Sequence, residues 1–488
     1  MSPQAMLYWP AVLILVLAAT GTSMVNNVRI YMIEQGLCRA YYSISDPEVI
    51  LADGSVPEEQ CKLDTIQAKV ALLVGCFHIS TLVPGLIAAP IYTRLASKLG
   101  TKTVLLINVC SFTLGLCYFN LVCYFYDVFN IWMIIFTNIF DFIGGGTPLR
   151  NTLLYTYIAE RVNPELLSNR LYLLSTLLLG TSFLGSFLGS LAMKVNVLLP
   201  LLIGTCIFSL TILSVFCLSG QSMNQAATMT ISDYTEIPQN DEIQRTTYQS
   251  ANTASGSDRK PSGLCRTIFR AMTVDILLSL SPVAEALQDP LTRMTVLIFL
   301  SNDIGMAANV TFKQFVSALF HWELADVNTV SSFDLIISAA VLLGLPALST
   351  FLVNSLSATK QQVDLWVTLG SSIAKIVGEL GIGLAPSGNT CFLFLMTYAF
   401  GSGLLDGLRS FATSGLEDEK SIQRLYMAIS MVQEIAGFIG APIWTSLFYA
   451  TLHGNIALPK GVHFFGAAVF FMIAFGLTLR LQRHVLRS

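Results

Sequence analysis

Acidic and basic side chains occur inside long apolar runs of this sequence, which is where they could do chemistry. A charged residue at the centre of a bilayer costs roughly 2.5–3.5 kcal/mol on insertion scales, so such residues are functional candidates by default. A carboxylate there can take up and release a proton, and an amide or a cation can bind a polar solute. The set comprises Arg29, Asp141, Arg150, Asp303, Lys313, Asp334, Lys375, Glu379, Asp406, Arg409 and Glu434.

Asp303 is the leading candidate for proton coupling. It lies near the middle of its apolar run, in SNDIGMAAN, with Asn302 beside it and Asn309 seven residues after Asn302. Residues seven apart share a helix face, so the two amides are candidates for substrate binding beside a protonatable carboxylate. A carboxylate that only bonds a neighbouring helix is the structural alternative. Asp141 lies at similar depth in another run, before a GGGTP stretch that we expect to loosen or kink the helix.

Two close pairs of opposite charge could form local ion pairs instead. Asp406 and Arg409 are three residues apart, and Lys375 and Glu379 are four apart. Residues at these spacings lie on one helix face, so a local pair is the simpler interpretation of each.

A repeated helix entrance adds a candidate gate. The stretches NRLYLL and QRLYMA each open an apolar run with an arginine, Arg170 and Arg424, and Glu160 and Glu417 stand near them. We expect these four residues to form salt bridges of an inner gate. Simple anchoring of two helix ends by positive charge is the alternative.

These side chains must be positioned by membrane helices. The chain has 488 residues, of which 53% are hydrophobic and 12% are charged, whereas soluble domains carry about 25% charged residues. A run of about 20 apolar residues spans a bilayer as a helix. The sequence therefore predicts an all-α integral membrane protein with twelve transmembrane helices, numbered spans 1 to 12. They lie near 8–30, 66–93, 102–124, 129–157, 170–192, 196–218, 291–314, 328–353, 362–385, 390–413, 422–450 and 461–480.

The first run and the charge distribution set the topology. Residues 1–7 carry no positive charge and the apolar core that follows is long, which favours a retained span over a signal peptide. Lys and Arg are concentrated in the connections on the side that holds both chain ends. Because cytosolic loops carry this excess, both termini are expected to be cytosolic.

Two long segments lie outside the spans. The outer loop 31–65 holds Cys38 and Cys61, and in an oxidising compartment we expect these cysteines to form a disulfide. The linker 219–290 is rich in Ser, Thr, Gln and Asn at first and then apolar at helical spacing. It is predicted to be cytosolic and partly disordered, with an amphipathic helix on the membrane face.

The linker separates two halves that repeat each other. Arg29 matches Lys313, and LRN at 149–151 matches LRS at 408–410, which pairs Arg150 with Arg409. The chain thus reads as two six-helix pseudo-repeats, residues 1–218 and 291–488. Such repeats are typical of secondary transporters, whose substrate site lies between the halves near the midplane.

The four matched cations suggest a path for an anion. We expect Arg29 and Lys313 near the outer ends of spans 1 and 7, and Arg150 and Arg409 near the inner ends of spans 4 and 10. A path lined by cations lowers the energy of an entering anion. Alternatively, the outer pair only snorkels to the membrane interface, and Arg409 is occupied by Asp406.

The arrangement resembles the major facilitator superfamily, and most closely a eukaryotic, fungal-type branch related to the proton-coupled folate transporters. The resemblance rests on the 6 + 6 layout, on the loop CRAYY…DPEVI…VPEEQCKLDTIQ and on TRLASKLGTKTVLL between spans 2 and 3. In that last stretch Gly100 and Lys102 match the superfamily motif, while Ser97 replaces its Asp. The stretch LGTSFLGSFLGSLAM at 179–193 resembles the family's Gly-rich fifth helix, with Ser186 where many members have Pro.

The resemblance implies an alternating-access carrier in which spans 1, 4, 7 and 10 line the cavity. We expect a monomeric secondary transporter of a small organic solute, driven by protons, in the plasma membrane or a vacuolar or lysosomal membrane. No metal-ligand spacing, phosphate loop or nucleophile motif is found, so no cofactor, metal or catalysis is expected, and the net charge of −3 does not favour nucleic acid. A drug or toxin efflux carrier and a non-transporting membrane sensor remain as alternatives.

Overall fold

The computed structural model describes residues 3–126, 128–159, 164–218, 288–356, 359–414, 419–453 and 458–485. Every regular element in these ranges is a helix, and eleven helical stretches are long and apolar enough to cross a membrane. The all-helical fold class is therefore confirmed. The predicted linker 219–290 and its amphipathic helix lie outside the described ranges, except for the last three residues.

Nine spans are continuous helices and three are interrupted. The continuous ones are Pro3–Ser45, Asp64–Leu99 and Thr101–Tyr124 (spans 1–3), Pro164–Val195 and Leu199–Phe216 (5 and 6), Leu324–Leu356 and Lys360–Leu384 (8 and 9), and Glu419–Leu452 and Val462–Val485 (11 and 12). Spans 7 and 10 each join two α-helices through a 3-10 segment: Pro290–Met306, Ala307–Thr311 and Phe312–Phe320 (span 7), and Gly388–Ala399, Phe400–Ser402 and Gly403–Ser414 (span 10). Span 4 begins with the 3-10 segment Ile131–Asn138, and its α-helices Ile139–Gly144 and Gly146–Ala159 meet at Gly145.

The predicted loosening of span 4 occurs at its glycines. Gly145 and Gly146 have φ values of +80° and +68°, a region that L side chains rarely adopt. The side-chain amide of Asn108 donates to the carbonyl oxygens of Gly144 and Gly146, both at 2.7 Å, and so satisfies backbone groups that the break exposes. Span 4 is not among the eleven stretches, and this break and the preceding 3-10 segment divide it into shorter helices.

Span 1 is longer than predicted, so the outer loop starts later than residue 31. Its helix runs to Ser45, and the connection to span 2 contains only the short 3-10 turns Pro47–Val49 and Glu58–Lys62. The extension is held by the segment that follows it: Cys38 and Cys61 form the predicted disulfide, and Gln35 exchanges two hydrogen bonds with the backbone of Val56, at 2.9 and 3.1 Å. Because these contacts lie beyond the apolar run, hydropathy alone could not place the end of the helix.

Small residues let the helices approach closely, as their spacing suggested. A Cβ atom on Gly185 would lie 2.5 Å from the carbonyl oxygen of Thr20, so spans 1 and 5 pack backbone to backbone. Gly407 fits against Thr368 on span 9 in the same way. Both halves thus use glycine at helix crossings.

The two halves have separate cores that exchange residues at their contact. Leu324 and Ala325 of span 8 belong to the hydrophobic cluster of the N-terminal half. Ala68 and Ala71 of span 2 belong to a cluster of the C-terminal half. The halves therefore meet along span 2 and span 8 over packed apolar surface.

Among the described residues, several hydrogen bonds join the two halves on one side of the molecule. We call this side the loop face, because residues 46–63 lie there. Over the described ranges, the bonds recorded toward this end are Lys194–Asp326 at 2.5 Å, Lys460–Asp64 at 2.7 Å, Gln314 to the Gln67 backbone at 2.6 Å, and the Leu324 N–H to Glu58 at 2.7 Å. The structure is therefore closed at the loop face.

Candidate functional site

Lys375 on span 9 lies at the centre of a buried polar cluster in the C-terminal half. Its Nζ donates to Oδ1 of Asn302 on span 7 at 2.9 Å, and Nδ2 of Asn302 donates to Asp303 Oδ1 at 2.9 Å. Its ammonium is 5.5 Å from the ring centroid of Tyr398 and 5.3 Å from that of Phe471, within cation–π range. We call the following residues the polar core: Asn302, Asp303, Asp334, Lys375, Glu379 and Tyr398.

Several carboxyl oxygens of the polar core have no hydrogen-bond partner. Asp303 Oδ2, Asp334 Oδ1 and both carboxyl oxygens of Glu379 are buried without a partner among the described atoms. Lys375 is within electrostatic range of all three residues. Arg409 is also within electrostatic range of Asp303, and Lys313 of Asp334. Burial of three carboxyl groups around one shared lysine in a medium of low dielectric still disfavours three negative charges, so the cluster is suited to hold protons.

Lys375 and Glu379 do not form the local ion pair that their spacing allowed. The lysine reaches across to span 7 and bonds Asn302, while the Glu379 carboxyl group stays buried without a partner. Close packing of span 10 directs this choice, because a Cβ on Gly401 would lie 2.4 Å from Lys375 Cγ. The spacing was right for a shared face, but the neighbouring helix offered the lysine a better placed acceptor.

Asn309 is separated from Asn302 by a change of helix type. Asn302 lies in the α-helix Pro290–Met306, whereas Asn309 lies within the 3-10 segment Ala307–Thr311, where the rotation per residue differs. Asn309 lies beside Tyr398, and its Oδ1 has no partner in the described structure. The two amides therefore border the same cluster without sharing a regular helix face.

Asp406 and Arg409 form the predicted local pair. Their closest N–O distance is 3.3 Å, and the second guanidinium nitrogen donates to Gln433 Oε1 on span 11 at 3.2 Å. Gln433 also neighbours Asp303, which connects this pair to the polar core. Glu434, the next residue on span 11, is half-buried.

The N-terminal half holds the matching cation in a different setting. Arg150 is buried, and its guanidinium carbon lies 5.1 Å and 5.3 Å from the ring centroids of Phe112 and Phe208. Its Nε and one terminal nitrogen have no hydrogen-bond partner among the described atoms. Asp141, at the other side of the glycine break, is buried and within electrostatic range of Arg150.

Arg29 and Lys313 lie at the contact between the halves. Lys313 Nζ donates across the contact to Asn27 Oδ1 on span 1 at 3.0 Å. The Arg29 guanidinium lies over the Phe77 ring at 4.5 Å, and the two cations are within electrostatic range of each other. The expectation that they sit near the outer helix ends is wrong, because spans 1 and 7 continue to Ser45 and Phe320.

The predicted inner gate falls largely outside the described residues. Glu160 and Glu417 lie in undescribed segments, and only the backbone is described for Arg170 and Arg424. Lys102, in the first turn of span 3, is described with its side chain. Its Nζ donates to the carbonyl oxygens of Phe216 and Leu218, at 2.8 and 3.0 Å. It therefore satisfies carbonyl groups at the end of span 6.

Several polar residues of the site were missed from the sequence. Asn27 joins the two halves, Tyr398 lines the polar core, and the Gln67–Gln314 pair lies at the loop face. An amide inside an apolar run was the available signal, since amides there also need buried partners. No group of three potential metal ligands was found over the described ranges.

Comparisons with known proteins agree with this architecture. No family model matches the sequence. The chain is 24% identical over 446 residues to the MFS efflux pump atnC of Emericella nidulans, covering 90% of this chain and 81% of that protein. It is 23% identical over 450 residues to the MFS transporter SAT21 of Stachybotrys chartarum, covering 90% and 89%.

Solved structures show the same fold at low identity. The human organic anion transporter MFSD10 (TETRAN) matches with a TM-score of 0.61 at 13% identity, covering 98% of this chain and 100% of that one. The xylose transporter XylE from E. coli matches with a TM-score of 0.54 at 13% identity, covering 98% of both chains.

Proposed function

We propose that this chain is a multi-pass membrane transporter of the major facilitator superfamily and that it carries a small organic anion between its two halves by alternating access. The observation that carries the proposal is the pair of cations at the contact, Arg29 from one half and Lys313 from the other. Among the described side chains, no carboxylate lies within ion-pair distance of either cation, and Asp334 is within electrostatic range of Lys313.

Electrostatics favours an anion at this pair. Two like charges in a medium of low dielectric repel each other, and each has lost part of its hydration. Asn27 gives Lys313 a neutral acceptor and Phe77 gives Arg29 an aromatic face, neither of which supplies a full negative charge. A bound carboxylate or sulfonate would supply that charge and bridge the halves.

Proton coupling is assigned to the polar core. Asp303 is linked to Lys375 through Asn302, and Gln433 connects the same region to Arg409. A proton taken up by Asp303 would remove the charge that Lys375 compensates and so change the bonding between spans 7, 9 and 11. Asp141 is the second candidate for this role, because it is buried next to the break in span 4.

Export is the second candidate for the direction of transport. The relative from Emericella nidulans is named an efflux pump, and this supports an efflux carrier for a drug-like or toxic product. The MFSD10 likeness, at 13% identity, concerns the fold alone, so the anion proposal depends on the two cations. We also propose a monomer with cytosolic termini, in the plasma membrane or a vacuolar or lysosomal membrane, and keep the proton-coupled folate branch as the proposed subgroup.

Flux in reconstituted vesicles tests the function. The full chain is reconstituted and assayed with benzenesulfonate and with its neutral near-isostere benzenesulfonamide, with and without a proton gradient. We expect proton-dependent flux of the anion only, and loss of apparent affinity in the Arg29→Gln, Lys313→Gln double variant. Transport restricted to neutral or cationic solutes would overturn the anion proposal, and absence of flux for a broad panel of solutes would favour the sensor alternative.

A further inference from the structure

Asn27 is the point at which four helices from both halves meet. Its Nδ2 donates to the Ser186 backbone oxygen at 2.5 Å and to Ser190 Oγ at 3.2 Å, both on span 5. Its Oδ1 accepts from Lys313 of span 7, and its backbone oxygen accepts from Asn328 of span 8 at 2.9 Å. Asn27 is 1% exposed, so water does not replace these partners.

Span 5 fixes which way the Asn27 amide points. Ser186 Oγ donates to Oδ1 at 3.0 Å, while the Ser186 carbonyl and Ser190 Oγ occupy the amide nitrogen. Only the oxygen is thus left to face Lys313. The ammonium donates a directed hydrogen bond to a neutral acceptor, which orients it without cancelling its charge.

We propose that Asn27 is a positioning residue for substrate charge: it holds the Lys313 ammonium in place through an uncharged acceptor, so that the full charge of Lys313 remains available to a bound anion. This inference rests on the proposed function and deepens it. Asparagine is the side chain that meets both needs, because aspartate has the same shape but would give Lys313 its own counter-ion.

The first experiment compares anion affinity in matched variants. Binding of benzenesulfonate and of benzenesulfonamide is measured by thermal shift on the purified full chain, together with KM and kcat for flux. We expect Asn27→Asp to weaken benzenesulfonate affinity about tenfold, as Lys313→Gln does, with kcat much less affected. Ser190→Ala, which removes one bond to Asn27 but no charge, should stay within about twofold of the wild type.

The outcomes distinguish a failure of the proposed function from a failure of the positioning role of Asn27. If Lys313→Gln binds the anion like the wild type, or if the wild type binds neither probe, the proposed function fails. If Lys313→Gln loses affinity while Asn27→Asp retains it, the positioning role is overturned.

A second experiment needs no ligand and tests the contact itself. In the wild type, Lys313→Gln removes a cation that no described carboxylate contacts and that has only Asp334 within electrostatic range, so the thermal midpoint should fall little. In the Asn27→Asp background the same substitution strands a buried carboxylate, and the midpoint should fall clearly. Equal effects of Lys313→Gln in both backgrounds would show that residues 27 and 313 do not interact, and this would overturn the proposal whatever the probes bind.

Discussion

The sequence repeat pairs Arg150 with Arg409, yet the two arginines contact different partners in the structure. Arg409 bonds Asp406 on its own helix and Gln433 on span 11. Arg150 lies between two phenylalanine rings, with two guanidinium nitrogens lacking described partners. The repeat therefore conserves where the cation stands but not how its charge is compensated. Because the two arginines contact different partners, we expect them to have different roles.

The same asymmetry extends to the carboxyl groups. The C-terminal half concentrates Asp303, Asp334 and Glu379 around one lysine. In the N-terminal half, Asp141 has only Arg150 within electrostatic range. We infer that the C-terminal half handles protons and that the N-terminal half contributes mainly fixed positive charge.

The largest expected effect is on proton coupling and tests this division. Asp303→Asn should abolish proton-driven accumulation while leaving exchange down a concentration gradient, because an amide keeps the bond to Asn302 but cannot take up a proton. The matched change in the other half, Asp141→Asn, should leave accumulation largely intact. Both variants are measured in vesicles with an imposed pH gradient.

Two results would contradict the division. Unchanged accumulation in Asp303→Asn, in Asp141→Asn and in the double variant would remove both carboxyl groups from the coupling mechanism. A loss confined to Asp141→Asn would move proton handling to the N-terminal half.

The sequence predicts helices and local pairs better than it predicts long-range partners. The apolar runs set the spans, and the three-residue spacing of Asp406 and Arg409 identified a real pair. The four-residue spacing of Lys375 and Glu379 did not, because Asn302 on another helix offered the lysine an acceptor. Asn27 and Lys313 are 286 residues apart, and no local pattern contains that contact.

The second prediction contrasts the connections at the loop face. The N-terminal half uses a segment closed by Cys38–Cys61 over a separation of 23 residues, whereas the matching turn in the C-terminal half is short and passes through His321 at φ 55°. Closing a loop of this length contributes about 3 kcal/mol by restricting the unfolded chain. Cys38→Ser should therefore lower the free energy of unfolding by about that amount, measured by denaturant titration in detergent.

The lipid-exposed thiol at Cys117 provides the control for that titration, since Cys117→Ser removes a sulfur without opening a loop. If Cys38→Ser is no less stable than Cys117→Ser, the disulfide segment does not support the extended end of span 1.

The third prediction compares the breaks in spans 4 and 10. Gly145 is needed for its positive φ, so Gly145→Ala should cost about 1–2 kcal/mol in backbone strain. Gly401 is needed for space, because a Cβ there would lie 2.7 Å from the Ser371 carbonyl oxygen and 2.4 Å from Lys375 Cγ. Gly401→Ala should cost about 1–3 kcal/mol by overpacking, and it should also impair proton-driven accumulation by displacing Lys375.

A glycine with open space around it, Gly476, supplies the control, and Gly476→Ala should change neither stability nor transport. If Gly145→Ala impairs proton-driven accumulation as strongly as Gly401→Ala, the two breaks do not differ in their effect on transport.

The smallest expected effect returns to the two matched arginines. Arg409→Met leaves Asp406 without its cation, and because both side chains are partly exposed, at 33% and 25%, the cost should be only about 0.5–1 kcal/mol. Arg150→Met removes a buried charge two of whose guanidinium nitrogens lack a described hydrogen-bond partner, and the sulfur can still pack against Phe112 and Phe208. The loss of cation–π attraction and the relief of desolvation should nearly offset each other. Unfolding in detergent should therefore rank Arg150→Met close to the wild type and Arg409→Met below it, with Arg→Lys at each site as the charge-preserving control. The opposite ranking would mean that the surroundings of Arg150 stabilise its charge. The two arginines would then differ less in their contribution to stability than their contacts indicate.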